Sequence, residues 1–277
     1  MPPVAKTSPN VKPKPTGGPK SAWDMLDSLK MLVYGRSGTG KTTFWSTFPG
    51  PILTLVCSGG NRPGELKSID TEEMREKVTP TIIDSTDQIR DAIASFDGEG
   101  TLVLDHASGL ADLALKEILG IKELPAQKGW GLATQQQYGQ CTLQCKEIMR
   151  SILGKSCNVV IVAQERTFGD AESGGSDTGI QPTVGPALSP SLAGWLAPAC
   201  DYVVRTEIRP RSEKVEQNLL GKKTTTWKIV PGEYEYVMRV GPHHTFQTKF
   251  RKPRGVAMPE VIVDPDYNKV LALVKGE

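Results

Sequence analysis

Nine consecutive residues carry the first legible chemistry: Gly35-Arg36-Ser37-Gly38-Thr39-Gly40-Lys41-Thr42-Thr43, preceded by the apolar run Met31-Leu32-Val33-Tyr34. Gly35, four intervening residues, then Gly40-Lys41-Thr42 is the spacing of a loop that wraps phosphates. Its backbone N–H groups face the oxygens, Lys41 reaches the β and γ positions, and the Thr42 hydroxyl is offered to Mg²⁺. A Cβ at Gly38 or Gly40 would obstruct the close backbone approach or the positive φ that such a loop needs. A helix opening at Lys41 would add its N-terminal dipole to the anion site.

Two further strands end in groups suited to the same site. Thr101-Leu102-Val103-Leu104 delivers Asp105 at its C-terminal end, where open α/β sheets place ligands. A carboxylate there can hold the water shell of Mg²⁺ opposite Thr42, because this ion takes oxygen ligands in fixed octahedral positions. His106 follows directly and has two readings, a water-positioning group or a hydrogen-bonding spacer. Asn158-Val159-Val160-Ile161-Val162-Ala163 ends in Gln164, an amide able both to donate and to accept and so to sense a γ-phosphate.

The elements that must position these residues follow from pattern. Short apolar runs at 52–57, 78–83, 101–104, 158–163 and 202–206 alternate with helical patterns beginning at Ser85 or Thr86, over 107–119 and over 132–153. That alternation predicts an α/β fold with a mostly parallel central sheet flanked by helices. A polar, glycine-rich stretch at 165–185 is too long for a tight connection, and an apolar pattern with Leu188, Leu192 and Trp195 follows it. The stretch 209–226 reads as a charged linker or exposed insertion. Residues 233–239 and 245–251 read as a C-terminal β-hairpin around Gly241-Pro242-His243-His244, with the adjacent histidines as turn residues. Pro265-Asp266-Tyr267 can start a terminal helix.

Composition bounds the rest. With 277 residues, one large α/β domain over 21–254 is expected, after a proline- and lysine-rich disordered arm at 1–20 and before a tail at 255–277. Trp23, Met25, Leu26 and Leu29 give 21–29 helix-like spacing as a lead-in. The 33 basic and 31 acidic residues leave a net charge of +2, so nucleic-acid contact would have to come from local patches. Five cysteines show neither a disulfide framework nor zinc-knuckle spacing, and Cys141 and Cys145 fit one buried helical face. A reducing, cytoplasmic setting is expected, with no membrane partner, since no apolar run approaches the length of a membrane span.

The order of phosphate loop, Asp105 strand, Gln164 strand, long loop, helix and further strand resembles the RecA-like ATPase core. More narrowly, 33–43 and 158–165 are similar to phage-encoded RecA-like proteins, including the single-strand annealing type. That resemblance implies ATP bound by residues 35–43, Mg²⁺ held through Thr42 and Asp105, and Gln164 as the switch. It places DNA loops at about 120–131, with Lys122, Lys128 and Trp130, and at 165–185, where Arg166 is accompanied by Asp170, Glu172 and Asp177. It also implies that Lys249-Phe250-Arg251, a K-x-R pattern, reaches a neighbouring subunit's site in a head-to-tail ring or filament.

One departure stands out: where the family carries a water-activating glutamate after its second strand, this chain has Cys57-Ser58-Gly59-Gly60, with Ser58 at the acid position. Three outcomes are open, namely slow hydrolysis, a base supplied by Glu65, or reliance on His106. The expected function is Mg²⁺-dependent ATP turnover on single-stranded DNA in recombination, annealing or replication. The competing expectations are a nucleotide-dependent protein-binding switch or scaffold and, more distantly, a small-molecule kinase.

Overall fold

The computed structural model describes residues 28–57, 64–69, 71–124, 133–168, 183–219 and 222–277. The N-terminal arm, most of the lead-in, Ser58, Lys128, Trp130 and 169–182 lie outside them.

Strand β1 (Lys30–Gly35) is buried along its whole length and lies between β5 (Asn158–Phe168) and β7 (Tyr202–Leu219), parallel to both. Beyond β5 come β4 (Thr101–Asp105), β2 (Ile52–Val56) and β3 (Val78–Ile82), all parallel. Beyond β7 come β8 (Lys222–Arg239) and β9 (Val261–Val263), both antiparallel. The order is β3-β2-β4-β5-β1-β7-β8-β9, and β6 (Thr183–Pro186) pairs antiparallel with the end of β5.

Parallel strands covered on both faces read as continuous apolar runs, and successive side chains then serve opposite layers. Leu32, Tyr34, Val159 and Ile161 face a layer containing α4 (Ala107–Leu119), α5 (Gln135–Leu153) and α6 (Pro190–Ala199), together with α3 (Thr86–Ser95). Met31, Val33, Val160 and Val162 face the other layer, built on Phe44 and Trp45 of α1 (Lys41–Ser46) and on Val270 and Leu273 of α7 (Tyr267–Lys275). The remaining short helix, α2 (Glu72–Glu76), leads into β3. Ser85 caps α3, and Thr134 with Gln137 forms a capping box on α5.

The C-terminal part of the sequence folds differently from its pattern. Residues 245–251 form no strand and touch the sheet through isolated bridges, Phe246 to Val184 and Lys249 to Val203. The hairpin partner of 233–239 is instead the start of β7: Arg205 pairs with Arg239 and Pro210 with Tyr234. The stretch 209–226 therefore belongs to a long two-stranded arm. Over its described side chains, 209–215 and 226, neither face is buried, so the apolar alternation that marks a covered strand is lacking there. The supposed tail at 255–277 contributes β9 and α7, and Tyr267 N–H donates to Thr47 Oγ1 at 2.9 Å. Gln164 does not end its strand. It is the last β5 residue in register with β1, opposite Gly35, and the chain continues straight into pairing with β6.

Candidate nucleotide site

Parallel register aligns the ends of the central strands. Gly35 lies beside Gln164 and Val56 beside Asp105, so the phosphate loop, the Asp105 carboxylate and the Gln164 amide meet at one edge of the sheet. A cleft of about 880 Å³ opens there, lined by residues 37–44 together with Glu65, Asp105, His106, Gln164 and Tyr236. That volume suits a nucleotide.

Gly38 and Gly40 both take the left-handed conformation, at φ 80° and 83°, which lets the loop curl around an anion. Gly35 has a different reason to be glycine. A Cβ there would lie 2.4 Å from Thr206 Oγ1 on β7. Lys41 is buried, and its ammonium donates to the carbonyls of Gly35 at 2.9 Å and Arg36 at 2.6 Å. Burial holds its pKa below the ordinary lysine value, against the charges of Asp105 and Glu165.

Asp105 is 4% exposed and accepts from the Trp45 indole N–H at 3.1 Å. Burial pushes its pKa up to about 6, with Glu65 adding to the rise and the Trp45 bond and Lys41 opposing it. In metal-free buffer the folded chain thus keeps a proton on Asp105 that the unfolded chain releases near pH 4. The stability from that proton is fully present below pH 4 and is lost as pH rises through about 6. Asp105→Asn is expected to flatten this segment of the pH–stability profile in urea titrations; an unchanged slope would refute the assignment.

The donor set fits Mg²⁺. Thr42 and Asp105 are hard oxygen donors facing the same cleft, and the carboxylate is desolvated with one ammonium near it. They would hold the ion, which would supply charge neutralisation for phosphate oxygens. Trp45 fixes the carboxylate's orientation. Trp45→Phe is expected to cost about 1.5–3 kcal/mol at alkaline pH, where Asp105 is ionised, and to raise the Mg²⁺ concentration needed for nucleotide binding. Denaturant titrations at two pH values check it, and a pH-independent cost would mean lost packing alone.

His106 resolves toward the spacer reading. Its Nδ1 accepts from Gly109 N–H at 2.9 Å and caps α4, and burial lowers its pKa, which keeps the ring neutral. Glu65 is the group that sequence reasoning held only as one of three options. It lines the cleft, its charge is felt at both Asp105 and His106, and its Oε1 is buried with no hydrogen-bond partner among the described residues.

Besides the Trp45 bond to Asp105, two features were missed in sequence. Tyr236 projects from β8 against the loop, its ring 3.2 Å from where a Gly40 Cβ would lie. Glu165, next to Gln164, binds Arg205 at 2.7 Å and Arg36 at 3.2 Å, and so ties the phosphate loop to β5 and β7. The Glu165–Arg205 pair is buried on both sides. Arg205→Ala is expected to destabilise by about 1.5–3 kcal/mol, measurable by chemical denaturation, since it leaves the buried Glu165 carboxylate with only the exposed Arg36 as an ionic partner. A cost below 1 kcal/mol, on the order of a surface pair, would refute it.

The other candidates lie away from the cleft. Lys249 Nζ donates to the carbonyls of Cys200 at 2.6 Å and Pro198 at 3.0 Å, at the end of α6. Arg251, 61% exposed, pairs with Asp201 at 3.0 Å. Lys122 is exposed near the end of α4, and Arg166 lies over the Phe168 ring at 5.4 Å.

A family model for the AAA domain matches residues 27–252, from just before β1 to just after Arg251. The chain belongs to the AAA domain family. Within it, the sheet is mostly parallel and flanked by helices, with β5 between the phosphate-loop strand and the Asp105 strand. Among solved structures, a KaiC-like protein from Pyrococcus horikoshii is similar at 11% identity and TM-score 0.40, over 85% of this chain and 88% of that one. The flagellar accessory protein FlaH from Methanocaldococcus jannaschii follows at 10% identity and 0.33, over 83% and 94%. The RadB recombinase aligns at 14% identity and 0.35, over 75% and 85%. No curated protein matches the sequence. Among the described residues no helix is long and apolar enough to cross a membrane.

Proposed function

We propose that this AAA-domain chain is a Mg²⁺-dependent, RecA-like ATPase similar to the phage-encoded nucleotide-binding proteins that include the single-strand annealing type, acting on single-stranded DNA in recombination, annealing or replication as a head-to-tail oligomer. The observation that carries the hydrolytic reading is the buried Glu65 Oε1, which has no hydrogen-bond partner among the described residues, in the cleft that also holds Lys41, Thr42 and Asp105. Lys41 leaves the loop carbonyls to meet phosphate oxygens, Thr42 and Asp105 would hold the metal, which would supply charge neutralisation, and Glu65 takes a proton from the water whose oxygen bonds the γ-phosphorus as the bond to ADP breaks. Gln164, the last β5 residue in register with β1, lines the cleft, where it can report the phosphate's presence to the β5–β6 segment that follows.

In the oligomer, Arg251 is the cation presented to a neighbour's cleft, while Lys249 is engaged in capping α6. The test is ATP hydrolysis with and without single-stranded DNA over a range of protein concentrations. Turnover rising with both is the expected result, and Arg251→Ala is expected to remove the concentration dependence while leaving ATP binding intact. A rate that stays negligible while ATP still binds would favour the second reading, a nucleotide-dependent scaffold. The near-neutral net charge and the acids Asp170, Glu172 and Asp177 support that alternative.

A further inference from the structure

The β7–β8 arm has two unlike faces. Cross-strand partners in an antiparallel pair share a side. Ile208 with Tyr236, Pro210 with Tyr234, Ser212 with Ile229 and Lys214 with Trp227 therefore line one face, and Arg209 with Glu235 lies on the other. On that other face Arg209 pairs with Glu235 and Arg211 with both Glu213 and Glu233, and Lys228 lies opposite Glu213, so three cations meet three acids. The first face is open: Trp227 and Ile229 are each 65% exposed and Tyr234 is 69% exposed. Solvent-exposed apolar surface of this extent marks an interaction site.

The occupant can be argued from charge and ring placement. On the open face the charge beside the rings is that of Lys214, whose cross-strand partner is Trp227 rather than an acid. Lys214 Nζ sits 5.3 Å over the Trp227 ring, which places a cation beside an open aromatic face. Rings that bases can stack on, interleaved with lysines that meet phosphates, are what a single strand requires. A protein partner covering this face would have to desolvate Lys214 or supply a carboxylate to it.

We propose that the aromatic face of the β7–β8 arm is a binding platform for single-stranded nucleic acid, with bases stacking on Trp227 and Tyr234 and Lys214 beside the phosphate backbone. This deepens, and rests on, the single-stranded DNA reading above. It also accounts for how a chain whose 166–185 stretch carries three acids that repel phosphate can hold a polyanion.

The test is fluorescence anisotropy with a labelled oligothymidine of about 30 nucleotides, long enough to span the arm. It is run over a salt series with the full chain and with Trp227→Ala/Tyr234→Ala. The expected result is a dissociation constant raised about 30-fold or more in the double variant, with unchanged ATP binding and thermal midpoint. Lys214→Gln should make the salt dependence shallower by about one phosphate contact. Equal affinity in wild type and double variant would overturn the platform and leave the DNA reading standing. A wild type that binds no oligonucleotide even at low salt would overturn both. If the double variant instead loses self-association while keeping its DNA affinity, the arm is a subunit contact and the platform is overturned.

Discussion

Lys41→Ala is expected to raise the dissociation constant for ATP by about 100-fold or more while the fold stays intact. The affinity loss follows from position. Lys41 supplies the ammonium in the phosphate loop, and the loop's other contributions are backbone N–H groups and hydroxyls. The unchanged fold follows from burial. The ammonium is desolvated, which holds its pKa down, and its partners are two carbonyls of the loop itself. Removing it costs two hydrogen bonds but relieves a buried charge, and these effects oppose each other. Titration with a fluorescent ATP analogue and a thermal melt check the two halves separately. Retained affinity would show that the loop does not cradle phosphate, and Lys41→Met, which keeps the stem packed, guards against a folding artefact.

The cleft was legible in sequence where function is carried by local spacing. The loop at 35–43, the Asp105 strand and the Gln164 strand each announce themselves within a few residues, and buried parallel strands write their apolar runs plainly. What was not legible depends on partners far along the chain. Trp45 reads as one more apolar helix residue, and only the fold brings its indole to an aspartate 60 residues away. Residues 233–239 were read correctly as a strand, but the turn signal at Gly241-Pro242 suggested the wrong partner. The true partner, β7, was legible as a strand only over 202–206, because its described side chains beyond the buried core carry no buried alternation. Lys249 and Arg251 were read as sharing a strand face, yet the backbone there is not a strand, and Lys249 ends on the carbonyls of α6. The missing family glutamate was sought by position along the chain, and the geometry instead brings Glu65 into the cleft from the 3-10 turn at Gly64–Ser68.

That relocation makes Glu65→Gln the sharpest test of the hydrolytic reading. The amide keeps the shape of the side chain but cannot take a proton, so turnover is expected to fall by about 10²–10⁴-fold while ATP affinity stays within a few-fold. His106 provides the control. His106→Asn preserves a side-chain acceptor for Gly109 N–H and so keeps the α4 cap, and it should leave the rate nearly unchanged. A second readout is independent of turnover. The charge of Glu65 helps raise the pKa of Asp105, so in metal-free Glu65→Gln the Asp105 transition should move to lower pH. Loss of rate with a shifted Asp105 transition would place Glu65 in the cleft as the base. Loss of rate in His106→Asn with little effect of Glu65→Gln would return the role to the histidine.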